Sequence, residues 1–206
     1  MTVAGAGNRV GILGGTFDPI HNGHLAAAHA AHRALSLDRI MLLPARTPPH
    51  RSSEPRASAF HRFAMAALAA TTMPGLEVSD LELHRDGPSY TSITLERLLA
   101  DGYQRSELFF ILGADAFAEI ATWHDYPRLF ELSNFVVVSR PGFGAAPFPS
   151  GSGIFFVTAE TPDVSSSEIR RRAGANEPIA GMVPPIVADH IRRHGLYVPS
   201  PVTAVL

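Results

Sequence analysis

Four short runs of this chain are apolar with little or no alternation: VGIL at 10–13, RIMLL at 39–43, ELFFIL at 107–112 and NFVVVS at 134–139. Runs of that kind predict strands buried on both faces, as in parallel sheets. IFFV at 154–157 predicts another strand, and LEVSDLEL at 76–83 alternates as a half-buried strand should. Between them lie Ala-rich or amphipathic stretches that predict helices over 23–35, 58–70, 91–99, 116–121, 127–132, 166–173 and 185–194. Strands alternating with helices predict an α/β fold: a doubly wound, Rossmann-like, mostly parallel sheet with helices on both faces. No repeat or linker divides the chain, so one domain is expected over 1–206. Residues 1–8 and 199–206 are expected to be loose, and the Gly-, Pro- and Ser-rich 142–153 mobile.

Such sheets bind ligands beyond the carboxyl ends of their strands. Three loops predicted there carry distinctive residues: 14–24, 44–51 and 113–115. The first belongs to VGILGGTFDPIHNGHL at 10–25, which reads as strand, glycine turn, then helix. That arrangement brings backbone N–H groups and a positive helix end up to a phosphate. His21 and His24 fall at the loop–helix junction, and three-residue spacing on a helix points both imidazoles the same way. A phosphate-sized space beneath two imidazole donors is the reading that follows. Gly5 and Gly7 precede the strand and no third glycine follows Gly14-Gly15 at the right distance, so the dinucleotide fingerprint is absent. The Walker pattern is absent too.

Composition narrows the chemistry. The 206 residues include no cysteine, which excludes disulfides and thiolate chemistry, and all 17 basic residues are arginine. Without lysine there is no Schiff base, no Walker lysine and no lysine general base. A net charge of −2 argues against a nucleic-acid partner. No apolar run approaches the roughly 20 residues needed to span a bilayer. The first nine residues lack the features of a signal peptide, so a cytoplasmic location is expected.

GGTFDPIHNGHL resembles the His-x-Gly-His signature of the nucleotidylyltransferase superfamily, in its bacterial nicotinate mononucleotide adenylyltransferase branch. Further segments follow in that branch's order: LPARTPPHR (43–51), GPSYTS (87–92), FILGADAF (110–117), TWHDYP (122–127), SRPG (139–142) and VSSSEIR (164–170). The resemblance spans roughly 9–197. It implies transfer of AMP from ATP to nicotinate mononucleotide, giving deamido-NAD and pyrophosphate, with Mg²⁺ carried by the ATP phosphates and no protein metal ligand. A substrate phosphate as nucleophile needs no general base, which suits a chain without Cys or Lys.

The resemblance also implies roles. His21, His24 and Arg170 would be catalytic, the histidines as donors to the phosphates. Gly14, Gly15, Thr16 and Phe17 would line the ATP site, and Asp18 would orient that loop and help hold the metal indirectly. Gly113 and Asp115 would meet a ribose, and Ser165 and Ser167 would join Arg170 at a phosphate-binding helix end. Trp123 would stack on the pyridine ring, and N–H groups near Thr91 and His124 would take its carboxylate. Arg51, where many relatives have lysine, and Arg140 are weaker candidates on the substrate side. Plainer readings stay open: a metal pair extended by His29 and His32, a core Trp123, a capping box at Ser165-x-x-Glu168, Asp115 as a cap, Gly14-Gly15 as a bare turn. Rival functions are another superfamily substrate, nicotinamide mononucleotide among them, or a regulator that binds nucleotide without turnover. The oligomeric state is left open, with a homo-oligomer compatible.

Overall fold

The computed structural model describes residues 8–49, 54–141 and 153–199. Six strands form one sheet in which every neighbouring pair is parallel: β1 (Val10–Gly15), β2 (Arg39–Pro44), β3 (Leu76–Val78), β4 (Leu108–Gly113), β5 (Asn134–Ser139) and β6 (Ile154–Thr158). Their order is β3-β2-β1-β4-β5-β6. The helices are α1 (Asn22–Leu35), α2 (Ala59–Ala70), α3 (Thr91–Ala100), α4 (Ala114–Ala118), α5 (Tyr126–Leu132), α6 (Ser166–Gly174) and α7 (Pro185–Arg193). Arg51, the 142–152 part of the Gly-rich segment and the tail from 200 lie outside the described residues.

Successive strand residues point to opposite faces, so an unbroken apolar run feeds two cores at once. Leu13, Ile40, Leu42, Phe109, Ile111, Val136 and Val138 pack on one side with Ala28 and Ala31 of α1, Met65 of α2, Ile169 of α6 and Val187 and Ile191 of α7. Ile12, Leu43, Leu108, Phe110, Leu112, Phe135 and Val137 pack on the other with Leu95 and Leu98 of α3, Phe117 of α4, and Leu129 and Leu132 of α5. Each of the larger of these side chains contributes about 1.5–3 kcal/mol by leaving water.

One predicted element is shorter than its pattern. Alternation over 76–83 predicts an eight-residue strand, but only Leu76–Val78 is one. The Ser79 N–H still bonds the Leu42 carbonyl at 2.9 Å. Ser79 Oγ then accepts the Leu81 N–H at 3.2 Å, and the Asp80 carbonyl accepts the Leu83 N–H at 2.8 Å. Local Ser and Asp bonds thus turn the chain off the ladder, and β3 stays a short edge strand.

The strand order positions the site. From β1 the chain winds outward to β2 and β3, and it returns through α3 to β4 on the other side of β1. The connections leaving β1 and β4 therefore diverge, and a crevice opens between them at the carboxyl edge.

Candidate active site

A cleft of about 530 Å³ occupies that crevice. His21, Gly23, His24 and Ala27 line it beside β1, residues 112–115 beyond β4, residues 138–140 beyond β5, and Thr161, Pro162 and Val164 before α6. His21, His24, Gly113, Asp115 and Arg140 are thus brought to one cavity. Asp115 lies in the first turn of α4, whose cap is Gly113. Arg140 is held by its own loop, donating to Thr161 Oγ1 at 3.2 Å and to Asp163 Oδ1 at 3.0 Å.

The two imidazoles stack, with ring centroids 3.7 Å apart and planes 24° from parallel. His21 is the residue before α1 and His24 falls in the helix's first turn. His24 Nδ1 accepts the His21 backbone N–H at 3.2 Å, so the neutral His24 ring carries its proton on Nε2. Phe17 meets the same ring edge-on at 5.1 Å. His21 is 8% exposed, and its Nδ1 is buried with no hydrogen-bond partner among the described residues. An orphaned lone pair beside the positive end of a helix costs less than an orphaned N–H, which places this proton on Nε2 as well. Burial pulls the His21 pKa down to about 4, so the ring is a neutral donor at pH 7. A Cβ on Gly23 would stand 3.0 Å from His21 Nδ1, so a side chain there would press on the imidazole.

The loop from Thr16 to His21 is built around a buried carboxylate. Asp18 is 1% exposed; Oδ2 accepts the Arg56 N–H at 2.9 Å, and Oδ1 accepts the Ala57 N–H at 3.1 Å and the Tyr197 hydroxyl at 3.0 Å. It orients the loop from within. Arg170 Nη1 donates to the Asp18 carbonyl at 2.7 Å and Nη2 to Ser167 Oγ at 3.2 Å. Ser166 Oγ donates to the Pro19 carbonyl at 2.9 Å, so the start of α6 is fastened to the loop after β1. Ser165 caps α6, accepting the Glu168 N–H at 3.2 Å, while the Glu168 carboxylate accepts from Arg171 and Arg172, so only the cap half of the capping box is formed. The Phe17 ring is 1% exposed in the core, under Gly15, so Phe17 can reach a ligand only through its backbone. Gly14, Gly15 and Thr16 are half-buried at the end of β1.

A second group assembles apart from this cleft. Tyr90, which precedes α3, stacks on His124 at 4.2 Å, and Ser92 Oγ lies 3.1 Å from His124 Nδ1. Thr91, the first residue of α3, and His124 are therefore neighbours, near the N–H groups of a helix start. Trp123 is half-buried, edge-on to Phe110 at 6.1 Å. Among the described residues no group of three or more His, Asp or Glu is arranged to hold a metal ion. That covers the histidines of α1 and also His61, His190 and His194, which cluster between α2 and α7.

Two residues absent from the sequence reading matter here. Arg62, 1% exposed, donates to the carbonyls of Thr16, Ala45, Arg46 and Ala57. Its signal was present, since Arg62 shares the buried stripe of α2 with Met65, Ala66 and Ala69. Tyr197, the partner of Asp18, carried no local signal.

The family profile described as Cytidylyltransferase-like matches residues 12–172. A protein of Desulfatibacillum aliphaticivorans named "Probable nicotinate-nucleotide adenylyltransferase" is 41% identical over 92% of this chain and 99% of its own. One of the same name from Roseiflexus sp. (strain RS-1) is 43% identical over 91% and 97%. Among solved structures, Plasmodium falciparum nicotinic acid mononucleotide adenylyltransferase complexed with APC superposes with a TM-score of 0.71 at 20% identity, covering 92% of this chain and 97% of that one. The same enzyme complexed with NaAD gives 0.70 at 21%. At that identity the structures show a shared fold.

Two stability measurements follow. The His21 pKa is lower folded than unfolded, so the unfolded chain binds more protons as pH falls below 6.5. Stability should be full above that pH and decline toward pH 4, with a limit of roughly 3 kcal/mol. In His21→Gln this acid decline should be shallower in urea melts at a series of pH values. Tyr197→Phe removes one bond to a buried charge and should cost about 1–3 kcal/mol, read as a lower urea midpoint.

Proposed function

We propose that this chain, which belongs to the cytidylyltransferase-like family, transfers the adenylyl group of ATP to nicotinate mononucleotide, giving deamido-NAD and pyrophosphate in NAD biosynthesis. The stacked imidazole pair in the crevice between β1 and β4 carries the reading. Relatives about 40% identical over nearly the whole chain bear the name of that activity.

The chemistry asks little beyond placement. The attacking group is the mononucleotide's own phosphate, whose second pKa near 6 leaves it mostly dianionic at pH 7. No base need remove a proton and no covalent enzyme intermediate is needed. What remains is to set two anions in line and to meet the charge building on the transferring phosphoryl group. In this reading the Nε2–H groups of His21 and His24 donate to the phosphates, and donors of this kind are typically worth about 10²–10³ in rate. Backbone N–H groups of Gly14, Gly15 and Thr16, with Phe17 contributing only backbone, flank them. Ser165, Ser167 and Arg170 present the N-terminal end of α6, with Arg140 nearby. Gly113 and Asp115 take a ribose. On the other side Trp123 stacks on the pyridine, and N–H groups near Thr91 and His124 receive its carboxylate.

The donor set suits a magnesium ion that arrives on ATP. Asp18 is turned inward onto backbone N–H groups, and Asp115 is the exposed carboxylate lining the cleft. Such an ion would neutralise part of the phosphates' charge. A cytoplasmic location fits substrates of this kind, and the reading holds whether or not the chain self-associates.

The deciding experiment is pyrophosphate release with ATP and Mg²⁺, run in parallel with nicotinate and nicotinamide mononucleotides. Release with the nicotinate form, falling about 100-fold or more in His24→Ala at unchanged thermal midpoint, is expected. A nicotinamide preference would reassign the substrate, and no release with either would leave a nucleotide-binding regulator. Trp123→Ala should raise the KM for the mononucleotide more than that for ATP; an equal effect on both would put Trp123 in the core.

A further inference from the structure

We propose that Arg62 is a positioning residue that sets the separation of the two half-sites, an inference that rests on the reaction proposed above. The guanidinium does not line the cleft, and it is 1% exposed. It faces the loops that leave β1 and β2 and the chain entering α2. Nη1 donates to the Thr16 carbonyl at 2.7 Å, in the turn that presents the loop after β1. The same nitrogen reaches the Ala45 carbonyl at 2.5 Å and Nη2 the Arg46 carbonyl at 3.0 Å, where the chain leaves β2. Nε takes the Ala57 carbonyl at 3.2 Å. All four acceptors are loop carbonyls, and none belongs to the interior of a strand or helix.

The β2 exit carries the constraint onward. Ser89 Oγ accepts the N–H groups of Arg46 at 3.1 Å and Thr47 at 3.4 Å, and the Ser89 N–H returns to the Thr47 carbonyl at 2.9 Å. Ser89 leads into Tyr90, which stacks on His124. One planar cation thus joins the turn beside His21 to the helix start beside His124. A fork of fixed geometry can hold two arms at a set distance, which a lysine ammonium on a flexible stem cannot. In-line transfer depends on that distance, and an error of about 1 Å can cost on the order of 100-fold in rate.

The test uses the full chain as Arg62→Lys and Arg62→Met. Wild-type pyrophosphate release with ATP and nicotinate mononucleotide comes first; its absence counts against the reaction, while the exchange measurement below still reads Arg62. The expected result is a folded variant whose kcat drops by about 30-fold or more. Each KM should move less than about threefold, since each half-site still binds its own substrate. Backbone hydrogen exchange should rise together at 14–18, 45–49 and 89–92. Arg62→Lys serves where Arg62→Met does not fold. A kcat within threefold of wild type in both variants, exchange rising at one segment alone, or unfolding of both would overturn the proposal in favour of a purely structural cation.

Discussion

Two opposite charges, each about 1% exposed, hold the site together: the Asp18 carboxylate and the Arg62 guanidinium. Taking an ion out of water costs several kcal/mol, and only well-placed dipoles offset it. Backbone supplies most of them here, and Asp18 also accepts from the Tyr197 hydroxyl at 3.0 Å and lies 3.8 Å from Arg170 Nη1. Asp18 is met by N–H groups of Arg56 and Ala57, and Arg62 by four carbonyls. Ala57 is gripped from both ends, its N–H by the anion and its carbonyl by the cation. The sheet decides where the crevice opens, and these two charges decide the shape of the loops that flank it. They also support Phe17 at a φ of 50°, a left-handed backbone that a bulky residue keeps only when its surroundings insist.

That rigidity suits the histidines. A buried, neutral imidazole is a weak ligand for a ground-state anion compared with a full cation, but its N–H is already aimed. In the proposed reaction, donors set in advance would favour the state in which charge has built up, the difference on which catalysis depends. The stack of His21 on His24 fixes each ring by the other, and the His24 Nδ1 bond to the His21 N–H settles which nitrogen carries the proton.

Much of this was legible in the chain, for reasons that differ by element. The runs at 10–13, 39–43, 107–112 and 134–139 were readable because burial on both faces demands apolar residues at every position. The segment 76–83 misled because its alternation is real while Ser79 and Asp80 divert the backbone through side-chain and turn bonds that periodicity does not register. The histidine pair was visible through its spacing. Asp18 was visible as a member of the loop, yet its partners lie 38, 39 and 179 residues away, and no local pattern announces such pairings. Arg62 could have been read from its place in the buried stripe of α2. It sits at a core position of an Ala-rich helix, where an arginine is easily taken for surface.

The absence of lysine then has a physical meaning at the site. Two arginines offered to the phosphates already have protein partners: Arg140 meets Asp163 at 3.0 Å, and Arg170 meets the Asp18 carbonyl at 2.7 Å. In the proposed reading the phosphates would also meet groups without formal charge: imidazole N–H donors, the glycine turn after β1 and the starts of α1 and α6. Their fields are short-ranged and directional, unlike the long reach of an unpaired cation. A site made this way would discriminate sharply once a phosphate came within hydrogen-bond range, because a dipole that is off line contributes almost nothing. In that reading placement carries both recognition and rate, so the inward-facing charges at Asp18 and Arg62, which shape the flanking loops, would matter more to the site than the charges on its rim.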